Sequence, residues 1–208
     1  MAKVLFLVAN FYPTSRSLSK QIATNFINEY ITFHPRDEIK VLNLCDEGYP
    51  KIDLPILEAE EKIKSGFVFF KLDPYQQSSL KKIKQMNDEF MSADKYVIVA
   101  PNCNLMVPPQ MVDYFLCISQ VGHTFDVTDE ISPDPLTNKR VLMITPGGSN
   151  PDDRNFNVGI LWLKKLFAYI GIDDFDLLLI ENTKSDQDIS DEIIRNAVVD
   201  AKIYAKTF

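Results

Sequence analysis

An α/β fold built on a parallel sheet follows from three observations. Five apolar runs alternate with helical stretches along the 208 residues. Most of the runs are solidly apolar, as strands buried on both faces are. Each strand–helix unit takes about 20 to 40 residues, room enough for a crossover helix between parallel neighbours.

The elements can be justified in order. Residues 4–9 (VLFLVA) form the first strand, and a polar loop with Pro13 follows over 10–17. Residues 18–33 place Leu18, Ile22, Phe26, Ile27, Tyr30 and Ile31 mostly three or four apart, which predicts an amphipathic helix ended by His34 and Pro35. Residues 38–44 (EIKVLNL) alternate and form the second strand. The stretch 45–74 is the least regular, with Pro50, Pro55 and a short helix expected at 57–67 (LEAEEKIKSGF). A long helix over 76–91 leads to the third strand, 96–100 (YVIVA), stopped by Pro101. A helix over 108–120 starts on two prolines, which suit a helix beginning. Residues 125–139, broken by Pro133 and Pro135, read as an excursion or hairpin. The fourth strand, 141–145 (VLMIT), runs into Pro146, Gly147 and Gly148. A helix over 156–169, the fifth strand 175–180 (FDLLLI) and a last helix over 188–205 complete the chain. With right-handed crossovers this is a three-layer α/β/α sandwich. Five strands with a first turn feeding a long helix predict the flavodoxin-like order 2-1-3-4-5, in one domain over residues 1–208.

Composition removes several function classes. Apolar residues are 46% and charged ones 25%, ordinary values for a chain with a packed core. Twenty-nine acidic against 22 basic residues leave a net charge of −7. Nucleic acid and anionic membrane surfaces call for the opposite sign. Three cysteines without a CxxC pair make a disulfide framework unexpected, and two histidines are too few for a typical catalytic zinc. No run approaches the roughly 20 apolar residues of a membrane span, and the amino terminus reads as a strand, so a cytoplasmic location is expected.

In an open parallel sheet, ligands sit beyond the carboxyl ends of the strands. Three loops there matter. The first carries Thr14, Ser15, Ser17 and Ser19 where a helix begins. Hydroxyls plus the free amides and positive dipole of a helix start suit a phosphate, whereas Ser17 alone is explained as a helix cap. Neither GxGxxG nor GxxxxGK[ST] occurs in this turn, which disfavours a dinucleotide site or a nucleotide-triphosphate loop and favours a flavin mononucleotide. The second loop, APNCNL followed by MVPPQ, offers amides and backbone edges to a flat ring. The third, TPGGSN, offers two glycines for a close backbone approach or a turn. Cys103 has His123 as its only conceivable base and no third member, so an incidental thiol is expected. Trp162, among Ile160, Leu161, Leu163 and Leu166, reads as packing. Glu58, Glu60 and Glu61 read as a solvated helix face.

Taken together the loops resemble the FMN-dependent NADH-azoreductases, which group with the flavodoxin-like quinone reductases. The resemblance rests on KVLFLVAN at the start, SLSKQI at 17–22 and APNCNLMVPPQMVDYF at 100–115. It continues in GHTFDVTDE at 122–130, TPGGS at 145–149 and LFAYIGIDD at 166–174. It implies that Asn10, Ser17, Leu18 and Ser19 hold the FMN phosphate and ribityl chain. It implies that Asn102, Cys103, Asn104 and Leu105 border the isoalloxazine, and that Thr145, Pro146, Gly147 and Gly148 close its other side, with the amides of Gly147 and Gly148 at the N1–O2 edge. Phe125 would wall the substrate pocket, and the chain would be a homodimer. The chain departs from the family where its usual Met-aromatic-Asn-Phe is Asn102-Cys103-Asn104-Leu105, and where a common serine is Asn10.

The resemblance implies hydride transfer from NADH through FMN to a quinone or azo compound in a ping-pong sequence, with no obligatory side-chain acid or base and no metal. A flavodoxin-like electron carrier serving a protein partner is the alternative. An acyl-carrier-protein phosphodiesterase, a label also attached to the family, finds no GxSxG elbow and no metal-ligand cluster to support it.

Overall fold

A computed structural model describes residues 1–46, 48–119, 136–147, 158–180 and 191–208. Its sheet has five parallel strands, β1 (Lys3–Val8), β2 (Glu38–Asn43), β3 (Lys95–Val99), β4 (Arg140–Pro146) and β5 (Asp174–Ile180), in the order β2-β1-β3-β4-β5. The expected order is therefore the one adopted.

Side chains alternate across each strand, so one apolar run feeds two cores. Val4 and Phe6 of β1, with Val97, Val99, Leu142 and Ile144, pack under α1 (Leu18–Phe33) and α6 (Asp191–Thr207). Leu5 and Leu7, with Tyr96, Ile98, Val141 and Met143, pack against α2 (Leu54–Lys64), α3 (Pro74–Ser92), α4 (Pro109–Ile118) and α5 (Val158–Tyr169). Helix α1 buries Ile22, Phe26 and Tyr30 at intervals of four, and α6 answers with the small residues Ala197, Ala201 and Ala205 at the same interval. Trp162 packs edge-on to Phe115, 6.2 Å between rings, as a packing residue should.

Capping chemistry explains where the helices differ from expectation. Helix α2 runs from Leu54 rather than 57 because the Asp53 carboxylate accepts from the Ile56 amide and Pro55 fits the first turn. It stops at Lys64, short of 67. The Gly66 amide bonds to Ile63 and the Phe67 amide to Lys62, a Schellman closure that needs the positive φ of +86° at Gly66. Helix α3 starts early, at Pro74, because Asp73 and Gln76 form a reciprocal capping box. The start of the excursion expected over 125–139 lies outside the described residues, as do His123, Phe125 and Gly148. Among the described residues no helix is long and apolar enough to cross a membrane.

The amino-terminal edge of the sheet is held by charges. The Asp37 carboxylate accepts from the Ala2 amide at 2.7 Å and the Tyr30 hydroxyl at 2.8 Å, and Lys95 Nζ donates to that hydroxyl at 2.8 Å. Arg140 donates to Asp174, Asp176 and the Thr207 carbonyl and lies 5.2 Å over the Phe208 ring. Burial raises the Asp37 carboxyl, but the Ala2 amide, the Tyr30 hydroxyl and the Lys95 charge outweigh it and hold its pKa below the usual value.

Candidate functional site

Sheet order makes the ends of β1, β3 and β4 adjacent, about 4.8 Å apart from strand to strand. The residues that follow them, Asn10, Pro101 and Gly147, open the three expected loops side by side.

The first loop is fastened to itself. Asn10, 6% exposed, accepts from the Tyr12 amide at 2.9 Å through Oδ1 and donates to Ser17 Oγ at 2.7 Å through Nδ2. Lys20 Nζ donates to the Tyr12 carbonyl at 2.8 Å, and Arg16 lies 5.2 Å over the Tyr12 ring. A short 3-10 turn, Thr14–Arg16, then delivers the chain to α1. Ser17 is the N-cap, accepting from the Lys20 amide at 3.3 Å. The four hydroxyls divide in two. Thr14 and Ser15 are exposed, whereas Ser17 and Ser19 are buried with their oxygens 3.3 Å apart. The first turn of α1 carries no acidic residue. Its leading amides have no intrahelical acceptors, so the donors here are neutral and their field is positive.

The second loop is a tight hairpin. Cys103 and Met106 exchange both backbone hydrogen bonds, at 2.7 and 2.9 Å, around Asn104 (φ 50°) and Leu105 (φ 68°). Positive φ at both central residues is the type I′ arrangement. Asparagine suits it. Leucine does not, at a cost of about 1–2 kcal/mol for the left-handed conformation. Its side chain is 46% exposed, so the strain puts an apolar group at the rim. The backbone edge expected at this loop is partly consumed by these bonds. Burial pushes the Cys103 and Cys45 thiols up, Lys20 opposing at Cys45, so neither is poised as a thiolate.

A residue not singled out from the sequence holds this hairpin. Gly159, in the first turn of α5, donates its amide to the Leu105 carbonyl at 2.8 Å. A Cβ there would meet Val107 N at 2.6 Å and the Met106 carbonyl carbon at 2.8 Å, both backbone, so only glycine allows the approach. A glycine inside a helical apolar pattern was the available signal.

In the third loop Thr145 is buried and Pro146 half-buried. Gly147 corrects an expectation. Its amide donates to the Ile180 carbonyl at 2.8 Å, extending the β4–β5 ladder, and is not available for a ring edge. Asn102, Leu105, Met106, Thr145, Gly159 and Ile160 line one recess, so the second and third loops do meet. A cavity of about 680 Å³ lies elsewhere, beside β2 and α3, with Lys3, Lys40, Met86 and Glu89 on its walls. Among the described residues no cluster of His, Cys, Asp and Glu could hold a metal ion.

Comparison with known proteins gives full-length likenesses. An FMN-dependent NADH:quinone oxidoreductase of Staphylococcus haemolyticus is 32% identical over 211 residues, covering 100% of both chains. FMN-dependent NADH:quinone oxidoreductase 2 of Bacillus licheniformis is 30% identical with the same coverage. Among solved structures, an FMN-dependent NADH-azoreductase from Bacillus anthracis in complex with FMN superposes with a TM-score of 0.87 at 25% identity, covering 99% of this chain and 98% of that one. Residues 2–203 match the Flavodoxin_2 family, described as having a flavodoxin-like fold, and this chain belongs to that family.

Proposed function

We propose that this chain is an FMN-dependent oxidoreductase that takes a hydride from NADH and reduces a quinone or azo compound by two electrons. The observation that carries the reading is the donor set at the start of α1. Buried Ser17 and Ser19 stand beside free helix amides with no carboxylate in the turn, which fits a phosphate monoester. FMN, when bound, supplies the hydride relay between the two substrates.

The chain's own work is to place and shield. Ser17, Ser19, Asn10 and the Leu18 amide hold the phosphate end. Asn102, Cys103, Asn104 and Leu105 border the ring, and Gly159 keeps that border in place. Thr145, Pro146 and Gly147, with Gly148 and Phe125, close the remaining sides. NADH and the acceptor use one pocket over the ring in turn, which makes the kinetics ping-pong. The reading includes one domain over residues 1–208, a cytoplasmic location and a homodimer. The segment around α2 supports the dimer, for it exposes Leu54, Phe67, Val68 and Phe70, the last at 83%.

The test is a visible spectrum of the protein loaded with FMN, taken before and after anaerobic NADH. Bleaching by NADH and recovery on adding a quinone are expected. Bound FMN that responds to neither NADH nor NADPH would favour an electron carrier, and failure to bind FMN would end the flavin reading. Sedimentation of the loaded protein as a monomer would remove the dimer.

A further inference from the structure

We propose that Asn10 is a positioning residue that fixes the direction in which the Ser17 hydroxyl donates, and so selects a phosphate at the start of α1. The inference rests on the reading of this turn as the FMN phosphate site and deepens it.

The geometry leaves the Asn10 amide one orientation. The Tyr12 amide donates at 2.9 Å, so the oxygen must face Tyr12 and the nitrogen must face Ser17, 2.7 Å away. Ser17 Oγ thus accepts from Asn10 Nδ2, and also from the Lys20 amide at 3.3 Å. A serine oxygen has two acceptor positions and one proton. With both positions taken, Ser17 can only donate. The acceptor beside it, Ser19 Oγ, lies at 3.3 Å, well beyond the usual O–H···O separation of about 2.7–2.8 Å. A phosphate oxygen is a better acceptor, being charged and without protons of its own. A neutral hydroxyl in the same place would gain less, because it competes as a donor. Asn10, 6% exposed and held at both ends of its amide, cannot rotate away from this task.

Riboflavin carries the ring and ribityl chain of FMN without the phosphate, so the ratio of the two affinities reads this turn alone. The experiment titrates both flavins, by quenching of flavin fluorescence, into the wild-type chain, Asn10→Ala, Ser17→Ala and the double variant. Wild type should favour FMN by at least about tenfold, the scale of a charge-assisted hydrogen bond. Asn10→Ala should cut that preference about fivefold or more, weakening FMN much more than riboflavin. The double variant should lose no more than Ser17→Ala alone, because Asn10 acts through that hydroxyl. Losses that add would overturn the proposal, since Asn10 would then act independently of Ser17. Equal weakening of both flavins would show a merely structural role and overturn it as well. A wild type that binds FMN and riboflavin equally would instead remove the phosphate site itself. Asn10→Ser serves in the same cycle if the alanine variant does not fold.

Discussion

The two edges of the sheet are built from the same strands and solve opposite problems. At the amino-terminal edge every named charge has an internal partner. Asp37 meets Tyr30 and Ala2, Lys95 meets Tyr30, and Arg140 meets Asp174, Asp176 and Thr207. At the carboxyl-terminal edge Lys20 and Arg16 are held against Tyr12, and the groups at the start of α1 are neutral hydroxyls and amides. Leu105 sits there in a strained conformation, and the leading amides of α1 have no partner in their own helix. Parallel strands cause the division. Each crossover returns the chain to the same edge, so helix starts gather at the other, with their dipoles pointing in. One edge spends its polar groups on cohesion, and under the proposed function the other keeps the leading amides of α1 and the Ser17 and Ser19 hydroxyls for a phosphate.

The comparison breaks most readily at Gly159. A Gly159→Ala change forces a Cβ into the backbone of Met106 and Val107, and should cost about 3 kcal/mol by overpacking. It should also weaken FMN binding, because the hairpin must move. Denaturation and flavin titration read the two effects separately, and lost stability with unchanged FMN affinity would cut α5 out of the site.

Next in size is Lys95→Ala at the opposite edge. Removing one member of a largely buried polar set should cost about 2 kcal/mol. FMN affinity should stay as it was. A fall in affinity would mean that the edges are coupled through the sheet and that the division of labour is false.

Leu105→Gly sharpens the contrast in the other direction. Relief of the left-handed leucine, less the added chain entropy of glycine, should raise stability by about 0.5–1 kcal/mol. The apolar rim is lost with it, so KM for a quinone should rise. A stabilised variant with unchanged KM would place Leu105 outside the acceptor's path.

The smallest effect is a pH dependence. Asp37 titrates below its ordinary value of 3.8, so its contribution is complete above that value and is lost as pH falls through the folded pKa. In Asp37→Asn the acid limb of a stability profile should be shallower. An unchanged limb would assign acid sensitivity to other carboxylates.

Much of this was legible in the residues. Solid apolar runs such as 4–9 can only be buried on both faces, so the strands, their parallel pairing and the site's edge followed from pattern. Helix limits at α2 and α3 are less legible. Their ends depend on Asp53, Asp73 and Gly66, single residues outside the apolar repeat. The hydroxyl-rich turn is legible, but its internal division is not, because whether Ser15 or Ser19 faces inward depends on how the 3-10 turn delivers the chain to α1. The sequence points the Gly147 amide at a ligand, yet the β4–β5 ladder uses it, and strand register is not written in either strand alone.

The sequence by itself determined the layers, the strand order and the three loops beyond the carboxyl ends of the strands, since periodicity and chain connectivity are local properties. Tertiary structure alone decided that Gly159 would brace the Cys103–Met106 hairpin, that Leu105 would be held at positive φ, and that Asn10 would turn toward Ser17. Each of these is a contact or conformation imposed by segments distant in the chain or across a turn. Its energy depends on separations of a few tenths of an ångström, which the backbone sets only once the whole sheet has closed around it.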